Sequence, residues 1–362
     1  MDLSIRLAVR IIKRLVTILL YIILSNFNYV MANEIEVSGF ASIAAGTAAS
    51  GDRFLADYPK TGVYDEDLSY SPDSSLGIQL AANVNPQTSF IIQAVSHGAN
   101  SYEVELDWAY VSYILNPEIT LQAGRKRLPL YYYSDHFDIA YTYNWVRPPA
   151  DNYTWQITNY NGISLVYEPN IGEWDALINV YTGREDSEEN DLLSSLSGSV
   201  VDETWKNMFG IVLELSRDWL DFRFTVMQGQ LDRSIDNVIV EEDVKQQFVG
   251  LSTNLYFDSL NVLSEINRYE RSASDIQVDT LMLSFAYQIN EFTPHITYSS
   301  LEQVPNAAGG DEKHSTNSFG VRWDFISNMA LKVQYDKTRD KGQTIQIMGD
   351  AELLSVSLDM VF

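Results

Sequence analysis

Residues 351–362, AELLSVSLDMVF, decide the fold class. Every second residue from 354 to 362 is apolar, and the positions between them carry two serines, Asp359 and one valine. A period of two is that of a β-strand with one apolar and one polar face. We expect this strand to pair with the first strand of the chain, because a sheet that closes into a barrel leaves no open edge.

The same alternation recurs along most of the chain. Residues 76–84, LGIQLAANV, and residues 319–325, FGVRWDF, are two clear cases. In the second, Arg322 and Asp324 share the face opposite the aromatic and β-branched residues. We count sixteen such segments, near residues 34–45, 74–84, 89–98, 102–115, 119–128, 162–168, 174–184, 204–216, 220–231, 244–257, 260–271, 276–289, 292–303, 314–326, 329–339 and 351–362.

The links between these segments are predicted to alternate strictly between short and long. The short links carry turn-forming residues, as in Asn116-Pro117-Glu118. Most of the others are longer and polar, as at residues 46–73, 129–161, 185–203 and 340–350. This asymmetry is typical of outer-membrane barrels. The sequence therefore predicts an all-β fold, a transmembrane antiparallel β-barrel of 16 strands with short periplasmic turns and long external loops.

The first 32 residues have the pattern of a secretory signal peptide. Four basic residues precede a short apolar stretch at residues 15–25, and Val30-Met31-Ala32 offers small residues at a cleavage site. The alternative is a membrane-anchoring helix. The apolar stretch has about 11 residues, whereas a span needs roughly 20, so cleavage is favoured. We expect a signal peptide at residues 1–32 and a barrel at residues 33–362.

The charge of the chain restricts its partners. The net charge is −25, and without residues 1–32, which hold four basic residues and one acidic residue, it is −28. Such an acidic protein does not bind nucleic acid through its phosphates and attracts cations to its surface. The chain contains no cysteine, which excludes disulfides and thiolate metal sites.

Three features together resemble the general-diffusion porins of Gram-negative bacteria, particularly those of gamma-proteobacteria. They are the opening strand VSGFAS at residues 37–42, the strand AGRKR at residues 123–127 before a long third loop, and the terminal Phe362. The resemblance implies a 16-stranded barrel, usually a homotrimer, with the third loop folded into the lumen. It also implies that Phe362 is an assembly signal read by the outer-membrane assembly machinery, and that the surroundings are lipid and lipopolysaccharide.

Residues 129–161 are the candidate constriction loop. They hold Asp135, Asp138 and Asp151 among many aromatic residues. So much apolar surface is not left in water, and we expect the loop to pack against the inner barrel wall. The alternative is that some of its aromatic rings line a path for sugars or a trimer interface.

Basic residues are expected to line the lumen opposite this loop. A charged side chain that faced lipid would cost about 2–4 kcal/mol at mid-depth. The alternation along their strands therefore places Arg223, Arg322 and Lys332 in the lumen. Arg125 has the parity of the lipid face, and a bulge at Gly124 would turn it inward. The predicted lumen cations are Arg125, Lys126, Arg127, Arg223, Arg322 and Lys332.

Acidic residues favour cations along the path. Glu103, Glu105 and Asp107 alternate with Val104, Leu106 and Trp108, which predicts an acidic stripe on the inner wall. Two acidic runs, residues 185–189 and 241–243, are expected on external loops. Their charges are expected to be solvated, with divalent-cation binding as the alternative.

The sequence favours a channel over an enzyme. Four histidines occur, none of them in a GxSxG or HExxH motif, so we expect no catalysis, cofactor or metal. The predicted function is a water-filled, cation-biased channel for passive diffusion of small hydrophilic solutes and ions. The alternative is a substrate-specific, sugar-type channel with an aromatic track, and a third class is a closed structural barrel.

Overall fold

The computed structural model describes residues 34–50, 53–272, 276–304, 311–342 and 349–362, so the predicted signal peptide lies outside the described residues. The chain forms a closed antiparallel β-barrel of 16 strands, which confirms the predicted fold class. The strands are β1 (Glu34–Ser50), β2 (Ser75–Asn85), β3 (Thr88–His97), β4 (Val104–Asn116), β5 (Ile119–Arg127), β6 (Asn159–Tyr167), β7 (Trp174–Ser187), β8 (Val201–Arg217), β9 (Leu220–Ile235), β10 (Val238–Phe257), β11 (Leu260–Arg271), β12 (Ile276–Tyr287), β13 (Phe292–Val304), β14 (Lys313–Ile326), β15 (Met329–Asp340) and β16 (Ala351–Val361).

The barrel closes between β1 and β16. Phe40 pairs with Val361, and the register continues to Thr47 opposite Leu354. Gly39 and Phe362 exchange both backbone hydrogen bonds, at 2.8 and 2.9 Å. A Cβ on Gly39 would lie 2.6 Å from the Phe362 ring, so glycine is required for this contact. The alternating strand at the end of the sequence therefore pairs with the first strand, as expected.

The two faces of the sheet have the inverse of a soluble protein's polarity. On β14, Phe319, Val321 and Trp323 are 40–48% exposed on the outside, whereas Thr316 and Ser318 are buried on the inside. The same division continues through β16 and most other strands. A sheet with an apolar outer face and a polar inner face is built for lipid outside and polar contents inside.

The long links do not alternate strictly with the short ones. Between β9 and β10 the connection is a two-residue turn, Asp236–Asn237, in which both residues have positive φ, 50° and 65°. Asn and Asp tolerate this conformation, which suits a tight hairpin. The prediction of a loop at residues 232–243 is therefore wrong, and the acidic residues 241–243 lie in β10.

Two links fold into the barrel from the end that carries the long loops. We call residues 128–158, between β5 and β6, the inner loop. The link from β1 to β2 contains a small hairpin, Phe54–Asp57 with Gly62–Tyr64, which packs above it. A short helix, α1 (Asp191–Ser197), follows β7. In the part of the chain that the structure describes, no helix is long and apolar enough to cross a bilayer.

Candidate functional site

The inner loop lies inside the barrel with its aromatic rings against the wall. Tyr131 and Trp155 pack edge-on to Phe248 of β10, with ring centroids 5.4 and 5.6 Å apart. Trp155 also contacts Trp205 of β8 at 5.3 Å. Edge-to-face contacts of this kind are favourable beyond the area that they bury. Most rings of the loop are therefore withdrawn from the open lumen, buried in one cluster that includes Tyr131, Tyr143, Trp145, Tyr153 and Trp155.

Three successive inward residues of β15 hold the middle of the loop. Lys332 Nζ donates to the carbonyl oxygens of Ala140 and Trp145, at 2.6 and 2.7 Å. Gln334 Oε1 accepts from the Val146 amide at 2.8 Å, and Asp336 accepts from the Arg147 guanidinium at 2.6 Å. These bonds satisfy backbone groups that an irregular buried loop leaves unpaired.

Arg322 and Lys332 do not line an open constriction, contrary to our expectation. Both side chains point inward, but the inner loop covers them. Arg322 Nη1 donates to the carbonyl oxygens of Tyr141 and Tyr143, at 2.6 and 3.0 Å. Lys332 is 1% exposed and also pairs with Asp359 at 2.8 Å. Their charge anchors the loop and is not available to solutes.

Two of the three predicted loop aspartates are also buried in ion pairs. Asp138 binds Arg127, and His97 Nε2 lies 2.9 Å from its carboxylate. Burial alone would raise the pKa of Asp138, but Arg127 and His97 hold it well below its usual value. Arg127 also contacts Asp107 at 3.5 Å, so this predicted lumen cation is neutralised.

Asp151 is enclosed beneath the loop. It is fully buried, accepts from the Ser299 hydroxyl at 2.5 Å and contacts His314 Nδ1. Burial raises the pKa of Asp151, and the stronger combined effect of His314 and the hydroxyl donors lowers it below its usual value. Asp138 and Asp151 therefore act as loop anchors, and neither can face a solute across the lumen.

Asp135 is the loop carboxylate that remains in the open lumen. It lies with His136 in a short turn, Ser134–His136, and both side chains are exposed. Among the described residues, the Asp135 carboxylate has no hydrogen-bond or ion-pair partner. It lines two neighbouring cavities.

The open lumen contains two chambers that meet at Asp135. The middle chamber, about 440 Å³, lies between the loop and β4–β9, and its lining includes Trp108, Tyr110, Lys126 and Arg223. The inner chamber, about 370 Å³, lies toward the short turns. Both chambers are lined by Asp135, Glu214 and Arg223, which marks these residues as the neck between them. Arg223 pairs with Glu214 and donates to the Pro129 carbonyl at 2.9 Å.

The external mouth holds a strongly acidic vestibule of about 530 Å³. Among the described residues, seven carboxylates line it, against two cations, Lys60 and Arg125, so the lining has five more carboxylates than cations. One of the seven, Asp186, also pairs with Arg184 outside the lining. Glu103 and Glu105 lie here, and Lys60 of the first hairpin pairs with Glu105 at 2.6 Å. Asp107 is buried below the vestibule, so the predicted acidic stripe presents two of its three members to solvent.

Arg125 reaches the vestibule without a register shift. Its guanidinium pairs with Glu185 at 2.7 Å and donates to the Leu106 carbonyl at 2.8 Å. Gly124 before it has φ +140°, and the pairing with both neighbouring strands continues through it. A Cβ on Gly124 would lie 2.2 Å from a backbone oxygen, so only glycine fits.

A bulge that the sequence did not reveal turns Trp108 inward. Leu106 pairs with Ala94 and Trp108 with Gln93, so Asp107 is an additional residue in β4. Where two residues of β4 lie opposite one residue of β3, the inward and outward positions of all later residues of β4 are exchanged. Trp108 and Tyr110 therefore line the middle chamber, although alternation from Val104 placed Trp108 on the lipid side.

One central anchor was missed by sequence reasoning. Glu265 of β11 is fully buried and accepts from the Tyr132 amide at 2.7 Å and the Ser252 hydroxyl at 2.9 Å. It also accepts from Asn152 of the inner loop. Alternation with Ile266 could have placed Glu265 inward, but no local pattern identifies the loop as its partner.

Comparisons with known proteins support the fold. No protein-family model matches the chain, and no curated protein matches it. Among solved structures, the outer membrane channel DcaP of Acinetobacter baumannii has a TM-score of 0.63 at 11% identity, covering 91% of this chain and 97% of that one. An anion-selective porin from Comamonas acidovorans has a TM-score of 0.60 at 14% identity, covering 91% of this chain and 100% of that one.

A third similar structure is the trimer form of OmpT, an outer membrane protein of Vibrio cholerae. Its TM-score is 0.59 at 10% identity, covering 91% of this chain and 99% of that one. Sequence identities this low show a shared fold and leave selectivity to each chain's own residues. The chain therefore shares the closed β-barrel architecture of outer-membrane channels.

Proposed function

We propose that this chain is an outer-membrane porin, a water-filled channel for passive diffusion of small hydrophilic solutes and ions. The observation that carries the proposal is the position of the inner loop. It is fixed to the wall by buried ion pairs and by hydrogen bonds from Lys332, and polar chambers lined by Asp135 lie beside it. A loop that narrows a lumen without filling it produces a selective aqueous path.

The channel is proposed to favour cations. The vestibule has five more carboxylates than cations, and the uncompensated Asp135 follows at the neck. An acidic mouth raises the local concentration of cations and repels anions. The similar porin from Comamonas acidovorans is anion-selective, so this preference rests entirely on the charges of the present chain.

The surroundings and assembly are part of the proposal. The apolar outer face fits outer-membrane lipid and lipopolysaccharide. Residues 1–32 would act as a cleaved signal peptide that directs export of the chain toward this membrane. A homotrimer is supported by the trimer form of the similar OmpT. The pairing of Phe362 with Gly39 fits an assembly signal in the closing strand, and the chain acts as a channel without catalysis.

Liposome swelling with neutral sugars of increasing mass tests whether the path is open. Vesicles that contain the purified protein should swell, and the rate should fall steadily with solute size, because exclusion by the neck has no stereochemical preference. Protein-free vesicles are the control. Absence of swelling would contradict a porin, and a rate that saturates with one sugar would instead support the substrate-specific channel.

A further inference from the structure

Two opposite charges, Lys126 and Asp135, line the middle chamber, and neither forms an ion pair within the described residues. Lys126 Nζ of β5 donates to Gln122 and, at 3.1 Å, to Ser164, both of which are neutral. Within the described residues no carboxylate lies within ion-pair distance of Lys126. Asp135 on the inner loop likewise has no partner, and both residues line the same cavity.

The other cations at this level of the lumen are compensated. Arg127 binds Asp107 and Asp138, and Arg223 binds Glu214. Glu168 also lines the chamber, close to the turn that precedes β7. Among the described residues, Lys126, Asp135 and Glu168 are the charged residues of this lining that have no ion-pair partner. A solute between the loop and β5 therefore meets the Lys126 ammonium of β5 and the Asp135 carboxylate of the loop.

An aromatic platform lies beside the ammonium. Lys126 Nζ is 5.3 Å from the centroid of the Tyr110 ring, and Trp108 lies next to it with ring centroids 6.2 Å apart. The indole Nε1 of Trp108 and the Nε of Arg223 are buried donors that have no hydrogen-bond partner among the described residues. The chamber volume of about 440 Å³ lies in the range typical of small-molecule sites.

We propose that the middle chamber is a binding subsite for zwitterionic solutes of the α-amino-acid type, preferring those with an aromatic or apolar side chain. The solute carboxylate contacts Lys126, its ammonium contacts Asp135, and its side chain packs on Tyr110 and Trp108. Charge-assisted contacts at both ends select a zwitterion over a cation or an anion of the same shape. This inference rests on the proposed function, because the chamber receives solute through the open lumen.

The test compares three probes that share a phenyl ring: L-phenylalanine, phenethylamine and 3-phenylpropionate. Calorimetry on the detergent-purified full-length protein measures each affinity at pH 7. We expect L-phenylalanine to bind about tenfold more tightly than either singly charged probe, since one charged hydrogen bond is lost with each. Equal affinities, or no binding of L-phenylalanine, would overturn the proposal.

Two substitutions should reverse the preference in opposite directions. Lys126→Gln should make phenethylamine the tightest probe, and Asp135→Asn should make 3-phenylpropionate the tightest. Lys126→Arg keeps the charge and should keep the preference for the zwitterion. Lys337→Gln, at a partly exposed residue outside the chamber lining, is the matched control. Heat-dependent gel mobility verifies that each variant is folded. Unchanged selectivity in the first two variants would contradict the assigned contacts.

Failure of this inference is distinguishable from failure of the proposed function. If liposomes swell but the three probes bind equally, the porin proposal is supported and the zwitterion subsite is excluded. If swelling is absent but L-phenylalanine still binds with the expected dependence on Lys126 and Asp135, the subsite stands and the porin proposal fails.

Discussion

Replacement of Lys332 by methionine should lower the free energy of unfolding by about 3–5 kcal/mol, since it leaves a buried charge without its partner. Asp359 is fully buried and 2.8 Å from Lys332. The same ammonium donates to the carbonyl oxygens of Ala140 and Trp145, which would also lose their donor. Denaturant unfolding in detergent, followed by tryptophan fluorescence, measures the loss.

The matched control lies on the same strand. Lys337 pairs with Glu352 where both side chains are about a third exposed, so Lys337→Met should cost no more than about 1 kcal/mol. The double variant Lys332→Met/Asp359→Leu should recover much of the stability, because it removes both buried charges. Its single-channel current should be noisier than that of the wild type, because the carbonyl oxygens of Ala140 and Trp145 lack the Lys332 donor. Equal stabilities of the Lys332 and Lys337 variants would contradict the anchoring role.

Replacement of Arg147 by methionine should have an effect of similar size, about 3–5 kcal/mol, because two buried carboxylates lose their counter-ion. Arg147 binds Asp73 through Nε and Nη2, at 2.6–2.9 Å, and Asp336 through Nη1 at 2.6 Å. It thus joins the first link, the inner loop and β15. We expect lower stability together with faster protease cleavage of the first hairpin.

Arg147→Lys separates charge from geometry. Lysine keeps the positive charge but cannot form the planar fork to Asp73, so the loss should be intermediate. Arg339 of β15, which pairs with Asp350 where both side chains are about half exposed, is the matched control, and Arg339→Met should change stability by less than about 1 kcal/mol. A methionine variant as stable as the Arg339 control would rule out the three-part junction.

The strands could be predicted from the sequence because each faces two different solvents. Lipid outside and a polar interior impose a period of two, and the segment predicted at residues 260–271 coincides with β11. The pairing of residues 351–362 with the first strand followed from the need to close the sheet. These are local or topological constraints that need no knowledge of tertiary contacts.

Two features of the sheet were not predictable from alternation. The bulge at Asp107 depends on pairing with β3, and it reverses the direction of Trp108. At residues 232–243 polar side chains suggested a loop, yet Arg233 pairs across the ladder with Glu241. Backbone hydrogen bonds and ion pairs between the two strands stabilise this hairpin, although its amino-acid composition is typical of a loop.

The inward direction of the charged side chains could be predicted from the sequence, but their interaction partners could not. Parity placed Arg322 and Lys332 inward, and their side chains do point inward. The inner loop covers them because its irregular backbone needs donors, and these two side chains supply them. Asp135 differs from Asp138 and Asp151 only through tertiary contacts, so no sequence pattern could have identified it as the exposed carboxylate.

The most direct test of the proposed cation preference is the reversal potential of the wild-type channel in a planar bilayer under a KCl gradient. Five excess carboxylates in the vestibule and the unpaired Asp135 predict a potential displaced toward the equilibrium potential of K⁺. A tenfold gradient at low total salt gives the largest displacement, because screening is weakest there. A potential displaced toward that of Cl⁻ would contradict the cation preference, and the absence of any conductance would contradict an open channel.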